Sequence, residues 1–429
     1  LKILNSLKDM KYKEFLDSKR KTFITSGFEI NENSLNKNLF DFQKFTVKTA
    51  LLKGRFAVFA DCGLGKTLMQ LAWADQVFTH TNKPVLILAP LAVVRQTIDE
   101  ADKFGINPVS FHINNYEQLK NIDTSIYSGI VLDESSILKG KDGKLSSLII
   151  ETFKNTPYKL CCTATPSPND HMELGQHSEF LGAMTYLEML AMFFVHDGGE
   201  TSKWRLRKHA QDPFWKYVCT WSIAIDKPET LGFESKGYNL PEIEYIEHII
   251  PVENKSANLF GDVAVSATDM HKDLNLSFDK RIEKTIELIK SNDKQWIVWG
   301  LKNNETDTIS KLLPNCINVQ GSDTPEYKAK HLLGFARNEF NTLSTKASIA
   351  SFGMNYQQCD QMIFMAYDFK FEAFYQAVRR CYRFGQKNKV TVHILIPESQ
   401  LNVRATILEK EKQHKERISE MAKYSAQAN

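Results

Sequence analysis

Short apolar runs recur along the chain between segments with helical spacing, and in the first half they are unbroken by polar alternation. Runs of this length are typical of strands that are buried on both faces of a parallel sheet, with helices as the crossovers. The runs are Ala57–Phe59, Val85–Leu88, Ile130–Leu132 and Leu160–Thr163 in the first half, and Trp296–Trp299, Ile317–Val319, Met362–Met365 and Val390–Ile396 in the second. The pattern therefore predicts an α/β protein with two doubly wound parallel-sheet lobes.

The same pattern predicts the division of the chain. A further strand, Ile243–Ile250, is expected within a stretch that contains prolines and polar residues and that we interpret as a linker. The predicted segments are a helical N-terminal extension (1–37), a first lobe (38–170), a helical and aromatic insertion (171–236), the linker (237–275), a second lobe (276–400) and a charged C-terminal helix (401–429).

The composition indicates a soluble globular protein. Apolar residues make up 42% of the chain and charged residues 24%, which is typical of soluble globular proteins. The length of 429 residues suffices for two or three domains, each with its own core. A net charge of +3 excludes a heavily basic scaffold but allows local basic clefts. The seven cysteines show no spacing typical of metal ligands, and neither a membrane-spanning run nor a signal peptide is visible. We therefore expect a reduced, cytoplasmic protein without membrane contact. Because the chain begins with Leu, we expect it to be a fragment or a trimmed chain.

The segment Ala60–Thr67 has the layout of a phosphate-binding loop: an apolar strand, a glycine turn, Lys-Thr and a helix. Its glycines allow backbone N–H groups to approach phosphate oxygens. Lys66 would reach the outer phosphates, and the hydroxyl of Thr67 would hold Mg²⁺. The match is incomplete, because Ala60 stands where the pattern has glycine. An ordinary glycine turn before a helix is the alternative.

Two further groups of polar residues follow predicted strands. Asp133-Glu134 comes about 70 residues after the loop, the order expected for a second nucleotide motif in such folds. The aspartate would hold Mg²⁺, and the glutamate would orient and deprotonate water. Thr163-Ala164-Thr165-Pro166 ends another strand, where its hydroxyls could relay movement between nucleotide and polymer sites. A solvated turn after a strand is the alternative for the acidic pair, but its spacing from the loop favours the nucleotide motif. For the threonines, a turn initiated before proline is an equally good explanation.

A basic stripe is predicted in the second lobe. Gln376, Arg380 and Arg383 are spaced i, i+4, i+7, so we expect them on one helix face that points away from the core, with Gly385 ending the helix. Arginines presented from a second domain stabilise the transferred phosphoryl group. A solvated basic helix face is the alternative.

Together these elements resemble the motifs of superfamily 2 helicases, and most closely those of the Swi/Snf-like DNA translocases. The resemblance spans residues 39–397. Its elements are Asp41-Phe42-Gln43, Gly63–Thr67 (motif I), Pro90-Leu91 (Ia), Asn115-Tyr116-Glu117, Asp133–Ser136 with Leu138-Lys139 (II), Thr163–Pro166 (III), Ser351–Asn355 (V), and Gln376 to Gln386 (VI).

The resemblance implies two RecA-like lobes that hydrolyse ATP between them, with Mg²⁺, in order to move along DNA. It assigns catalysis to Lys66, Glu134, Arg380 and Arg383, and the metal to Thr67 and Asp133. Its nucleotide-binding residues are Gln43, Gly63, Leu64, Gly65, Lys66, Thr67, Gly353 and Gln376, and its nucleic-acid contacts are Asn115, Thr163, Ser351 and Asn355. Motif II ends in Ser136, where the family has histidine or aspartate.

A dense basic and aromatic cluster, Lys203–His209, lies in the predicted insertion. Arg205 and Arg207 in this cluster are candidates to grip a duplex backbone. A solvated amphipathic helix with Trp204 in the core is the alternative.

Three functions stay open on the sequence. The first is a DNA-stimulated ATPase that translocates, with duplex DNA as the favoured partner. The second is an RNA-directed helicase, and the third is an ATP-gated clamp that binds nucleic acid or recruits a nuclease without travelling. The compact chain resembles bacteriophage or prophage versions of the family, which implies a monomer in the host cytoplasm working with phage replication or recombination proteins.

Overall fold

The structure is a computed structural model that describes residues 25–140, 143–197, 200–234, 238, 240–252, 274–350, 354–366 and 371–428. The chain divides into two compact units. Unit 1 comprises residues 1–234 and 414–429, and unit 2 comprises residues 235–413. None of the described helices has an apolar stretch long enough to cross a bilayer. Residues 1–24 of the predicted helical N-terminal extension lie outside the described residues.

Unit 1 is built on a six-stranded parallel sheet with the strand order β3-β2-β4-β5-β1-β8. Its strands are β1 (Arg55–Ala60), β2 (Val85–Ala89), β3 (Phe111–Asn115), β4 (Gly129–Asp133), β5 (Tyr158–Cys162) and β8 (Ser222–Ile225), and a separate antiparallel hairpin is formed by β6 (Phe194–Asp197) and β7 (Glu200–Leu206). Its helices are α1 (Asp41–Lys53), α2 (Lys66–Thr81), α3 (Leu91–Phe104), α4 (Lys144–Thr152), α5 (Leu174–Leu181), α6 (Tyr186–Phe193) and α7 (Gln211–Trp221).

Helices cover both faces of this sheet. Phe59 of β1 lies in a buried cluster with Phe180 of α5 and Trp215 of α7. On β4, by contrast, Gly129 leaves room for Trp73 of α2, whose ring a Cβ at this glycine would meet at 3.4 Å. Burial on both faces explains why the inner strands of this sheet appear in the sequence as continuous apolar runs.

Unit 2 repeats the architecture with the parallel strand order β11-β12-β10-β13-β14-β9. Its strands are β9 (Ile243–Ile250), β10 (Trp296–Trp299), β11 (Cys316–Val319), β12 (Thr342–Thr345), β13 (Gln361–Phe364) and β14 (Val390–Pro397), and its helices are α8 (Phe278–Lys290), α9 (Asn303–Leu312), α10 (Pro325–Ala336), α11 (Ala347–Ala350) and α12 (Phe371–Val378). Successive residues of β10 enter opposite cores, Ile297 in one and Val298 in the other. The predicted α/β class with two parallel-sheet lobes is therefore confirmed.

Two segments differ from their predicted roles. The segment 171–236, expected to be a helical insertion, also supplies β8, which pairs with β1 at the edge of the first sheet. The segment 237–275, expected to be a linker, supplies β9, which pairs with β14 along its whole length. In both cases a strand joins a sheet edge by pairing with a partner that is distant in the sequence, which local patterning does not encode.

The C-terminal helix α13 (Leu401–Ala428) contributes residues to both units, with the division after Gln413. In unit 1, Met421 is fully buried in the same cluster as Phe59, and the Ser425 hydroxyl accepts from the backbone N–H of Ala224 in β8 at 3.0 Å. The last turns of this helix are therefore part of the core of unit 1.

We expect Met421→Ala to lower the free energy of unfolding of unit 1 by about 2–5 kcal/mol, because it leaves a cavity in a packed core. Urea denaturation measures this loss. Leu408→Ala is the matched control, since Leu408 lies on the same helix with 43% of its surface exposed. Equal effects of the two substitutions would show that the end of the helix is not packed as described.

Candidate nucleotide site

The candidate site of unit 1 lies where three neighbouring strands end. Strands β4, β5 and β1 are adjacent and parallel, so their carboxyl ends meet at one edge of the sheet. The loop Asp61–Gly65 follows β1, Asp133-Glu134 ends β4, and Thr163 follows β5. The fold therefore brings the residues of motifs I, II and III of the sequence analysis to one place.

The loop after β1 takes its shape from glycine and from a distant glutamine. Gly63 and Gly65 have φ of 87° and 77°, the left-handed region that favours glycine. A Cβ on Gly65 would lie 2.3 Å from Nε2 of Gln43, so the position also has no room for a side chain. The Gln43 amide donates to the carbonyl of Leu64 at 2.9 Å. Gln43, predicted as a nucleotide contact, thus packs directly on the loop.

Lys66 begins α2 and folds back over the loop. Its ammonium donates to the carbonyls of Ala60 at 2.8 Å and Asp61 at 3.2 Å. Among the residues that the structure describes, no carboxylate forms an ion pair with Lys66. A cation held only by carbonyls at the start of a helix is suited to an anionic ligand such as a phosphate.

Asp133 is buried, and side chains from two other elements bond to its carboxylate and to its backbone carbonyl. Gln70 of α2 donates to its Oδ1 at 2.7 Å, and the Tyr116 hydroxyl donates to its backbone carbonyl at 2.7 Å. Burial, and secondarily the Asp133 charge, raise the pKa of Tyr116 well above its usual value, so the phenol stays a neutral donor. The carboxylate is consequently fixed in position at the end of β4.

Glu134 adopts an unusual backbone conformation next to motif III. Its φ is +56°, which is uncommon for a residue other than glycine. The Thr163 hydroxyl donates to Glu134 Oε2 at 3.3 Å and accepts from the Thr165 backbone N–H at 3.1 Å. Thr163, predicted as a nucleic-acid contact, is fully buried and contacts the glutamate. The structure thus connects motif III directly to motif II.

The residues present fit a magnesium ion shared with a nucleotide. The bond from Gln70 brings α2, which starts with Lys66 and Thr67, against the end of β4, which carries Asp133. A hydroxyl and a carboxylate are the hard oxygen donors that Mg²⁺ uses when phosphates and water complete its shell. No group of three or more His, Cys, Asp or Glu residues in the described ranges could hold a metal by itself.

The predicted basic stripe of unit 2 is not on one helix face, which corrects the sequence interpretation. Helix α12 ends at Val378, and Arg380 and Arg383 lie in the turns that follow it. Short-range bonds end the helix, such as that from the Cys381 N–H to the Val378 carbonyl at 3.2 Å. Gly385, with φ of 90°, comes after these turns rather than at the helix end.

Arg380 and Arg383 nevertheless converge on one carbonyl, because each donates through Nη1 to that of Met354 at 3.3 Å. Arg380 is only 5% exposed, and its Nη2 donates to Oε1 of the fully buried Gln376 at 2.7 Å. The expectation that these side chains point away from the core is therefore wrong for Arg380 and Gln376. Their predicted roles at a nucleotide stay predictions.

The other candidate nucleic-acid contacts belong to different units. Asn115 ends β3, and its side chain accepts from the backbone N–H three residues later. In unit 2, the Asn355 side chain accepts from the backbone N–H two residues later. Both are partly exposed. Ser351 and Gly353 lie outside the described residues.

The basic cluster Lys203–His209 is mostly strand rather than helix, since it includes the end of β7. Trp204 packs against His196 across the hairpin, with ring centroids 3.6 Å apart and planes tilted by 37°. Arg205 is exposed, whereas the Arg207 guanidinium lies 3.4 Å from the carbonyls of Ala191 and Met192 at the end of α6. Arg205 is therefore the more exposed of the two.

Sequence reasoning missed several residues that shape the site. Gln70 and His177 hold the turn after β4, and Arg417 of α13 donates to the carbonyls of Pro168 and Asn169 just after motif III. Gln70 is one residue of a mostly buried helix, and Arg417 is one charge among many in a charged helix. Neither position has a sequence signal that distinguishes it from its neighbours.

No protein-family model matches this sequence, and no curated protein is similar to it. Among solved structures, the SWI2/SNF2 ATPase core of Sulfolobus solfataricus in complex with dsDNA is similar to the chain. The match covers 93% of this chain and 97% of that one, with a TM-score of 0.42 and 16% sequence identity. A likeness at this level carries no information on activity.

Proposed function

We propose that this protein is a nucleic-acid-stimulated ATPase of the superfamily 2, Swi/Snf-like kind, which uses ATP hydrolysis to move along DNA. The observation that carries the proposal is the convergence of the Lys66 loop, Asp133-Glu134 and Thr163 at one edge of a parallel sheet. Each of these groups alone has an ordinary structural explanation. The three groups together, at adjacent strand ends, fit the binding and hydrolysis of a nucleoside triphosphate.

In this proposal the loop Asp61–Gly65 surrounds the triphosphate with backbone N–H groups, and Lys66 turns from its carbonyl partners to the outer phosphates. Mg²⁺, held by Thr67 and Asp133, would supply neutralisation of the phosphate charge. Glu134 accepts a proton from the attacking water. Arg380 and Arg383 stabilise the charge on the transferred phosphoryl group, as the resemblance implies.

The proposed polymer is duplex DNA, contacted mainly through its phosphates. Hydroxyl and amide side chains at the motif positions Asn115, Ser351 and Asn355 would contribute neutral contacts. Arg205 would contribute a cationic one from the hairpin, and its exposure favours this role over the packing role of Arg207.

We expect Arg205→Ala to weaken duplex binding and to reduce the slope of log affinity against log salt by about 0.9, the value for one phosphate contact. Fluorescence anisotropy across a salt series measures both quantities. Arg207→Ala is the matched comparison and should leave the slope unchanged, because that guanidinium lies against helix carbonyls. An unaltered slope in Arg205→Ala would remove the hairpin from the binding site.

The experiment that tests the proposal compares phosphate release with duplex DNA, single-stranded DNA and RNA, alongside triplex displacement and strand displacement. Stimulation by duplex DNA together with triplex displacement is the expected result. Stronger stimulation by RNA would favour the RNA helicase. ATP binding without polymer-stimulated turnover would favour the clamp.

A further inference from the structure

The turn that carries Glu134 is strained. A non-glycine residue at φ of +56° persists only where its surroundings determine the conformation, and such residues concentrate at functional sites. The 3₁₀ helix Ser135–Lys139 follows directly, with the Ile137 N–H bonded to the Glu134 carbonyl at 3.2 Å. The direction of the Glu134 side chain is therefore set by how this turn is held.

Side chains hold the turn on both sides of Glu134. Before it, Tyr116 holds the Asp133 carbonyl. After it, the Ser135 hydroxyl, which is fully buried, is hydrogen-bonded to Nε2 of His177 at 3.1 Å. His177 belongs to α5 and to none of the motifs that the sequence analysis singled out. It comes from 42 residues further along the chain.

The imidazole of His177 is fully buried in an apolar setting. Its ring packs edge-on against Phe59 of β1, with centroids 5.4 Å apart and planes at 90°. Phe59 lies one residue before the end of β1, the strand that leads into the phosphate-loop segment. Burial lowers the pKa of His177 to about 4, and backbone groups of Glu173 and Ser135 offset only part of this. The ring is therefore neutral at pH 7, with one nitrogen as donor and the other as acceptor.

We propose that His177 is a positioning residue for Glu134, which acts through Ser135 to fix the left-handed turn and so the direction of the carboxylate. The inference rests on the proposed ATPase function. Motif II ends in Ser136, and the histidine that bonds to this turn comes from α5. A polar ring buried among apolar side chains is costly unless its hydrogen bond contributes to the fold or to the site.

The test separates positioning from packing with two substitutions of His177. His177→Leu fills the space of the ring with an apolar side chain and removes the hydrogen bond to Ser135. His177→Gln instead places an amide near the position of Nε2. For His177→Leu we expect kcat for DNA-stimulated ATP hydrolysis to fall about 10–100-fold, with KM for ATP within about 3-fold of wild type. His177→Gln should recover most of kcat. His171→Leu is the control, because His171 packs on Phe214 and Trp215 instead.

A double-mutant cycle with Ser135→Ala tests whether the two side chains act through each other. The double variant Ser135→Ala/His177→Leu should be no slower than His177→Leu alone. The inference is overturned by an unchanged kcat in folded His177→Leu, by equal losses in the Leu and Gln variants, or by additive losses in the cycle.

Hydrogen exchange of the peptide covering residues 133–138 supplies a readout that does not depend on turnover. Exchange should be faster in His177→Leu and in Ser135→Ala, and unchanged in His171→Leu. Absence of turnover in the wild-type protein would contradict the proposed function but not this contact. Unchanged exchange in His177→Leu would overturn the contact's role whatever the activity.

Discussion

Replacing Glu134 by glutamine is expected to lower ATP turnover by about 10²–10⁴-fold while ATP binding persists, because the amide cannot accept the proton of the attacking water. The amide has nearly the same shape as the carboxylate and still accepts the hydrogen bond that Thr163 donates at 3.3 Å. The turn and the fold should therefore survive. Phosphate release with saturating duplex DNA measures the rate, and a fluorescent ATP analogue measures binding.

Glu151→Gln is the matched control for this substitution, since Glu151 is an exposed carboxylate in α4 of the same unit. Its turnover should equal that of the wild type. A wild-type rate in Glu134→Gln would refute the role assigned to this glutamate and would leave its left-handed conformation without a functional explanation.

Arg383→Ala is expected to reduce turnover by about 10³-fold or more with ATP affinity nearly unchanged, because a guanidinium on the transferred phosphoryl group acts mainly in the transition state. Arg383→Lys should recover only a part, since a lysine keeps the charge and loses the planar fork. Single-turnover hydrolysis and equilibrium binding of ATP distinguish the two effects.

Arg379→Ala is the control here. The Arg379 guanidinium lies 5.5 Å from the ring centroid of Tyr382 and 6.0 Å from that of Tyr375, so its removal affects packing but not phosphate chemistry. If Arg383→Ala instead loses ATP binding and thermal stability together, Arg383 is a structural residue that holds the carbonyl of Met354.

The sequence predicted the central strands well, because strands buried on both faces carry continuous apolar runs. It missed β3, whose residues Phe111–Asn115 are half polar and lie at a sheet edge, and β12, whose Thr342–Thr345 has a single large apolar residue. Edge position and small polar side chains remove the hydrophobic signal on which such predictions depend. Strands β6, β7 and β8 were missed because their pairing partners decide their structure.

The sequence predicted the motif residues of the candidate site but not the side chains that hold them in position. Glycines, a lysine and paired carboxylates at strand ends have a recognisable spacing, so Lys66, Asp133 and Glu134 could be named in advance. The bonds from Gln70 and Tyr116 to Asp133, and from His177 to Ser135, depend on which helix packs beside β4. The prediction that Arg380 lies on a helical stripe was wrong for a related reason. Turn hydrogen bonds after Val378 end the helix, so helical spacing does not extend to Arg380 and Arg383.

The central claim is that the loop of Lys66 and the turn of Asp133-Glu134 form one site for hydrolysis of ATP. The measurement that tests it most directly is steady-state phosphate release from Mg-ATP by the wild-type chain, with and without duplex DNA, in parallel with Glu134→Gln as the blank. We predict release that duplex DNA stimulates and that the blank lacks. Release that is absent from the wild-type protein under every condition, or equal in the two proteins, would contradict the account.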